Sequence, residues 1–147
     1  MNSVLKSVLI LIFTAYIPES ISIQPKERQM NVTGSFEVAL TPVKHDEYAA
    51  GRMLIIKTYS GSLAGTGKGQ MLSKRTEGGA SVYSAIEEFS GRLDGKSGGF
   101  TLVHNGYMSA QEQNLSVIIL PGSGTKALTG IEGSMEITKT ASGHTYT

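Results

Sequence analysis

From Met30 onward, apolar side chains return at every second position. Val32, Gly34, Phe36, Val38 and Leu40 share one face of the first such run, and Asn31, Thr33, Ser35, Glu37 and Ala39 share the other. A period of two is the mark of a β-strand buried on one side. Pro42 and the stretch KHDEYAAG end that run, and the next places Met53, Ile55, Lys57 and Tyr59 together, against Leu54, Ile56 and Thr58. Further on, Tyr83, Ala85, Glu87, Phe89, Gly91 and Leu93 form one face, and Phe100, Leu102, His104, Gly106 and Met108 form the face of a return strand. Between them stands Asp94-Gly95, a strong short-range hairpin signal that predicts antiparallel pairing. The runs NLSVIIL, ALTGIEGSMEIT and HTYT, with the turn PGSGT between the first two, bring the count to about eight strands. No helical period follows the first segment, and the turn spacing is that of an all-β sandwich or barrel.

The run Gly65-Thr66-Gly67-Lys68-Gly69 invites a second reading, as a loop that cradles a phosphate. A phosphate loop of that kind needs glycine, any four residues, Gly-Lys, and then a hydroxyl residue that opens a helix. Here Ser62 stands where the first glycine belongs and Gly69 where the hydroxyl belongs, and no helical pattern follows. As a strand, the segment puts Leu63, Gly65, Gly67, Gly69 and Met71 on one face. Three glycines on one face predict a hard bend, or a bulky group packed directly on the backbone.

Composition narrows the partners. Lys plus Arg (13) nearly cancels Asp plus Glu (12), with only 17% of residues charged, so no basic field is present to hold a nucleic acid. Cysteine is absent, which removes disulfides, thiol nucleophiles and cysteine metal sites. His45, His104 and His144 lie far apart and match no local metal motif, so no metal or cofactor is expected. Ser123 lies in a glycine-rich turn without the strand-turn-helix setting of a hydrolase nucleophile, and no hydrolase is implied. The opening MNSVLKSVLILIFTAYIPES has one lysine, then an apolar run about half as long as a membrane span needs. It reads as an export signal cleaved near Ser22, leaving no stable membrane anchor and a secreted or periplasmic product. An uncleaved anchor or a buried helix are the alternatives. Residues 1–22 are thus assigned to a signal helix, 23–29 to a linker and 30–147 to one β-domain.

Several spaced elements carry a family resemblance: Lys57-x-Tyr59-x-Gly61, Lys68-Gly69-x-Met71, Tyr83-x-Ala85-x-Glu87, Gly91-x-Leu93-x-Gly95, Gly99-Phe100-x-Leu102-x-His104-x-Gly106, Gly122-Ser123-Gly124-Thr125, Leu128-x-Gly130-Ile131-x-Gly133 and His144-x-Tyr146. Together they resemble a bacterial domain-of-unknown-function family, number 3224, whose members look like barrels of the allene oxide cyclase type. The resemblance implies a fold rather than a reaction: a single closed antiparallel barrel of about eight strands. The chain departs from the family pattern in its leader and in stopping just after Tyr146.

A closed barrel of eight strands has an interior that side chains fill or that holds one small ligand. Polar residues on inward faces are then the informative ones. Glu87 and His104 lie on the apolar faces of adjacent strands, directly opposite if the hairpin turns about Gly95-Lys96 and diagonal otherwise. They are the best candidates to grip the polar end of a ligand, with Tyr83 and Tyr59 as hydroxyl donors and Lys57 as a positive counterpart. The plainer reading makes Glu87 and His104 a satisfied structural pair and sends the Lys57 amine to solvent at the rim. Three functions fit: a carrier of a small, largely apolar molecule; an isomerase or cyclase acting on a lipid-like substrate; or a filled barrel that assembles copies of itself into a homo-oligomer. Apolar outer positions such as Leu54, Ile56, Ile118 and Leu120 would serve the last.

Overall fold

A computed structural model of the chain describes residues 29–44 and 48–147. The expected signal helix, the cleavage point near Ser22, most of the linker and His45 lie outside the described residues. Eight strands follow one another: β1 (Gly34–Pro42), β2 (Gly51–Gly61), β3 (Leu63–Arg75), β4 (Ser81–Leu93), β5 (Lys96–Met108), β6 (Gln113–Ile119), β7 (Ile137–Thr140) and β8 (Gly143–Tyr146). They form one antiparallel sheet in the order β6-β5-β4-β3-β2-β1-β8-β7. The described residues contain no α-helix, only a single 3₁₀ turn at Lys126–Leu128.

Where the connection is short, as between β2 and β3, β4 and β5, and β7 and β8, consecutive strands pair because the turn leaves them no other choice. Asp94 (φ 45°) and Gly95 (φ 81°) both adopt positive φ, as a two-residue hairpin loop matched to strand twist requires. Leu93 therefore faces Lys96, and β4 and β5 pair over thirteen residues each. The sheet then curls until its edges meet. The approach to β7 touches β6 through Met135 N to Val117 O at 2.9 Å and Ile119 N to Gly133 O at 2.9 Å, around the bridge Ile118–Ser134. The result is a nearly closed barrel.

ALTGIEGSMEIT does not form the strand its composition suggests. Only its end enters β7; Gly133, Ser134 and Met135 meet β6 at the seam, and the residues before them cover one end of the barrel, with Leu128 buried as a stopper. Its neighbour PGSGT substitutes for a strand that β6 is too short to supply. β6 pairs with β5 only from Leu102 onward, and the amides of Gly99 and Thr101 are taken by Thr125 Oγ1 (2.9 Å) and Ser123 Oγ (3.0 Å). Ser123 is a backbone substitute, as its place in a turn predicts.

The core lies toward that covered end. Tyr59 meets Phe89 edge-on at 5.6 Å and Tyr146 at 5.8 Å, with Phe36 and Phe100 beside them. Such pairs add about 0.5–1.5 kcal/mol each beyond the area they bury. The Tyr146 hydroxyl accepts from Leu63 N at 2.7 Å, tying β8 to the start of β3. Leu54, Ile56, Ile118 and Leu120 stand exposed on the outer face, as the alternation predicts.

A buried charge cluster at the floor of an open cavity

Glu87 occupies the middle of β4, on its inward face, and is 0% exposed. Oε2 accepts from Lys57 Nζ at 2.7 Å and Oε1 accepts from Tyr59 OH at 2.7 Å. Lys57 Nζ also lies 3.3 Å from the Tyr59 hydroxyl and sits 4.6 Å above the Phe36 ring. Lys57 is only 6% exposed, so the expectation of a rim lysine is corrected: its amine points inward to Glu87. Desolvating a lone ammonium costs several kcal/mol, and the carboxylate, the hydroxyl and the ring face offset that cost together.

Lys57 and Glu87 come from strands that are not neighbours. β3 runs between them, with Gly67 opposite Lys57 and Gly69 opposite Glu87. The bare backbone of β3 is what lets the two side chains meet above it. A Cβ at Gly67 would fall on Glu87 Oε1, and one at Gly69 would strike the backbone at Ile86 and Glu87. The glycine row is thus the bed of the ion pair, the bulky group packed on backbone that the sequence predicts.

His104 is a diagonal neighbour of Glu87. The turn centres on Asp94-Gly95 and not on Gly95-Lys96, so Glu87 faces Leu102 and His104 faces Ala85. His104 Nε2 lies 3.1 Å from Glu87 Oε2 but is not aligned as a hydrogen bond to it. That nitrogen has no hydrogen-bond partner among the described residues. Burial alone would raise the Glu87 carboxyl, yet the close His104, Lys57 and Tyr59 groups more than offset it and hold the carboxyl below its ordinary value. Burial first, and then the Glu87 charge, push the Tyr59 hydroxyl far above the usual tyrosine range.

Above this cluster the barrel opens into a cavity of about 530 Å³. Val38, Leu40, Ile55, Met71, Ala85, Met108, Leu115 and Ile137 make its apolar wall, and Lys57 and His104 form its floor. Tyr83 stands in the wall with its ring against Gly106, and burial raises its hydroxyl. That hydroxyl makes no hydrogen bond to any described residue. Of the five residues singled out from sequence, Lys57, Tyr59, Glu87 and His104 form one connected cluster, and Tyr83 stands apart on the same cavity. Glu87 and Tyr59 do not line the cavity; they lie beneath and beside it. Sequence reasoning missed Lys139 and His144, which complete the lining from β7 and β8. Their signal was the alternation of Ile137 with Lys139 and of His144 with Tyr146, too short a run to stand out.

A smaller recess of about 290 Å³ lies near the covered end, against Leu63, Leu93, Ile131 and the lead-in Gln29–Val32. No charged side chain of the cluster reaches it. Among the described residues, no three side chains of metal-binding type converge.

A family model described as "Protein of unknown function (DUF3224)" matches residues 32–147. Among solved structures, the chain is similar to a crystal structure of a protein with unknown function from the DUF3224 family of Shewanella oneidensis MR-1. That likeness has 36% sequence identity and a TM-score of 0.72, and it covers 78% of this chain and 90% of that one. No curated protein matches. These likenesses concern the family and its barrel and do not bear on the allene oxide cyclase type.

Proposed function

The chain belongs to the family described as protein of unknown function DUF3224, which fixes no reaction, so we propose from its interior that it binds a small, largely apolar molecule. The observation that carries this reading is the cavity of about 530 Å³, with an apolar wall over a floor of Lys57 and His104. Its size and its few convergent polar groups are typical of small-molecule sites, which run to roughly 300–1,000 Å³. His104 and Lys57 make the floor polar, and the Tyr83 hydroxyl adds a polar point of contact in the wall. Glu87 holds the floor in place from below. With one oxygen on Tyr59, the other on Lys57 and no exposure, it has no face toward the cavity from which to act as a base on a bound molecule. The leader suits this carrier to a place outside the cytoplasm.

The test is titration with a neutral, environment-sensitive apolar dye. One dye should bind per chain, and Ala85→Phe, which fills the cavity from its wall, should abolish uptake while the protein still melts cooperatively. Uptake that survives Ala85→Phe, or no uptake by the parent protein, would overturn the reading.

A further inference from the structure

The cavity has a charge asymmetry that its apolar wall does not require. Among the described residues, four basic side chains line it, Lys57, His104, Lys139 and His144, and no carboxylate does. Glu87 lies out of reach below the floor and compensates Lys57. That leaves the mouth, where Lys139 of β7 and His144 of β8 stand directly opposite each other across the hairpin. Lys139 is exposed and makes no ion pair with any described residue. His144 is held in place, its ring stacked on Phe36 at 5.0 Å and 13°. A fixed aromatic base and a free ammonium on one lip of an apolar pit are complementary to a negative head with an apolar tail.

We propose that the ligand is an anionic amphiphile, such as a monocarboxylate with an alkyl chain. Its tail lies along the cavity wall, and its head is held at the mouth by Lys139 and His144. The opposite orientation is disfavoured by charge. A carboxylate pushed to the floor would approach a buried Glu87 whose charge Lys57 already balances, and would lose its water without gaining a free cation. At the mouth the head keeps part of its hydration and gains Lys139, a lining cation that no described residue neutralises. This inference rests on the cavity reading above and adds the class of ligand.

The experiment compares decanoate with decanol, each below its aggregation limit, by calorimetric titration or by displacement of the neutral dye. The protein should bind decanoate about two- to fivefold more tightly than decanol, the gain expected of one exposed ion pair. The gap should close in 1 M salt, where the Debye length falls to roughly 3 Å. Lys139→Glu, at an exposed position that leaves the core untouched, should reverse the preference. Equal binding of the two by the parent protein would overturn the charge selection and leave the cavity reading standing. A gap that persists in Lys139→Glu would overturn the assignment of the head to the hairpin. Binding of neither molecule, together with no dye uptake, would overturn both readings.

Discussion

Lys57 and Glu87 test how a buried charge is tolerated. Removing one partner strands the other, so Lys57→Met should cost about 3–5 kcal/mol, while the double variant Lys57→Met with Glu87→Leu should cost less than Lys57→Met alone. Urea unfolding of the three proteins measures both, and additive losses would contradict the pairing. The Glu87 carboxyl is held below its ordinary value of 4.5, so it stabilises the fold fully above that pH and loses this contribution as pH falls through its lowered value. Glu87→Gln should therefore be less stable than the parent at neutral pH, and the gap should narrow steadily below about pH 4.5. A gap independent of pH in thermal melts would show that the lowered carboxyl contributes nothing. At this scale the sequence was legible in part. An acid and a histidine on apolar faces stood out, but a lysine at such a position reads equally well as a rim residue. Its partner sits two strands away, where no local spacing reports it.

The strands themselves were far more legible, because alternation states which residues face inward without any knowledge of pairing. The inward sets of β2, β3, β4 and β5 all follow it, and Asp94-Gly95 marks its hairpin unaided. Register was less legible. Moving the turn centre by one residue changes the partner of Glu87 from Leu102 to His104, and both arrangements keep every apolar residue inside. The stretch after Thr125 misled for another reason: alternation appears there by composition, while the chain forms a 3₁₀ turn, places Leu128 as a stopper and meets β6 only at the bridge Ile118–Ser134. β3 makes the sharpest claim about an element. Gly67→Ala puts a methyl on the Glu87 carboxylate and should cost about 1–3 kcal/mol, more than an alanine normally changes a strand. Equilibrium unfolding decides it, and a neutral or stabilising effect would mean the ion pair does not rest on that backbone.

The barrel as a whole is uneven. β4 is paired along its full length on both sides and β3 along its full length with β4, whereas the β7–β8 hairpin is tied to β1 by only three residue pairs, Gly34–Tyr146, Ser35–Thr145 and Phe36–His144. On its far side, only the segment leading into β7 touches β6. The hairpin also carries one lip of the cavity. Amide hydrogens of Thr138 to Thr145 should exchange much faster than those of β3 and β4 under native conditions, because they open without breaking the core. Uniform protection around the barrel would show instead that the wall opens only when the whole molecule unfolds.

The bare backbone of β3 has one more consequence. Sliding a strand by two residues keeps its oily side facing in, so burial alone scarcely distinguishes the right alignment from its nearest mistakes. A tie that reaches across an intervening strand does distinguish them, since any such slip leaves a carboxylate sealed away from both water and its counter-ion. A misaligned barrel that greasy contacts alone would accept thus carries the added cost of a stranded charge.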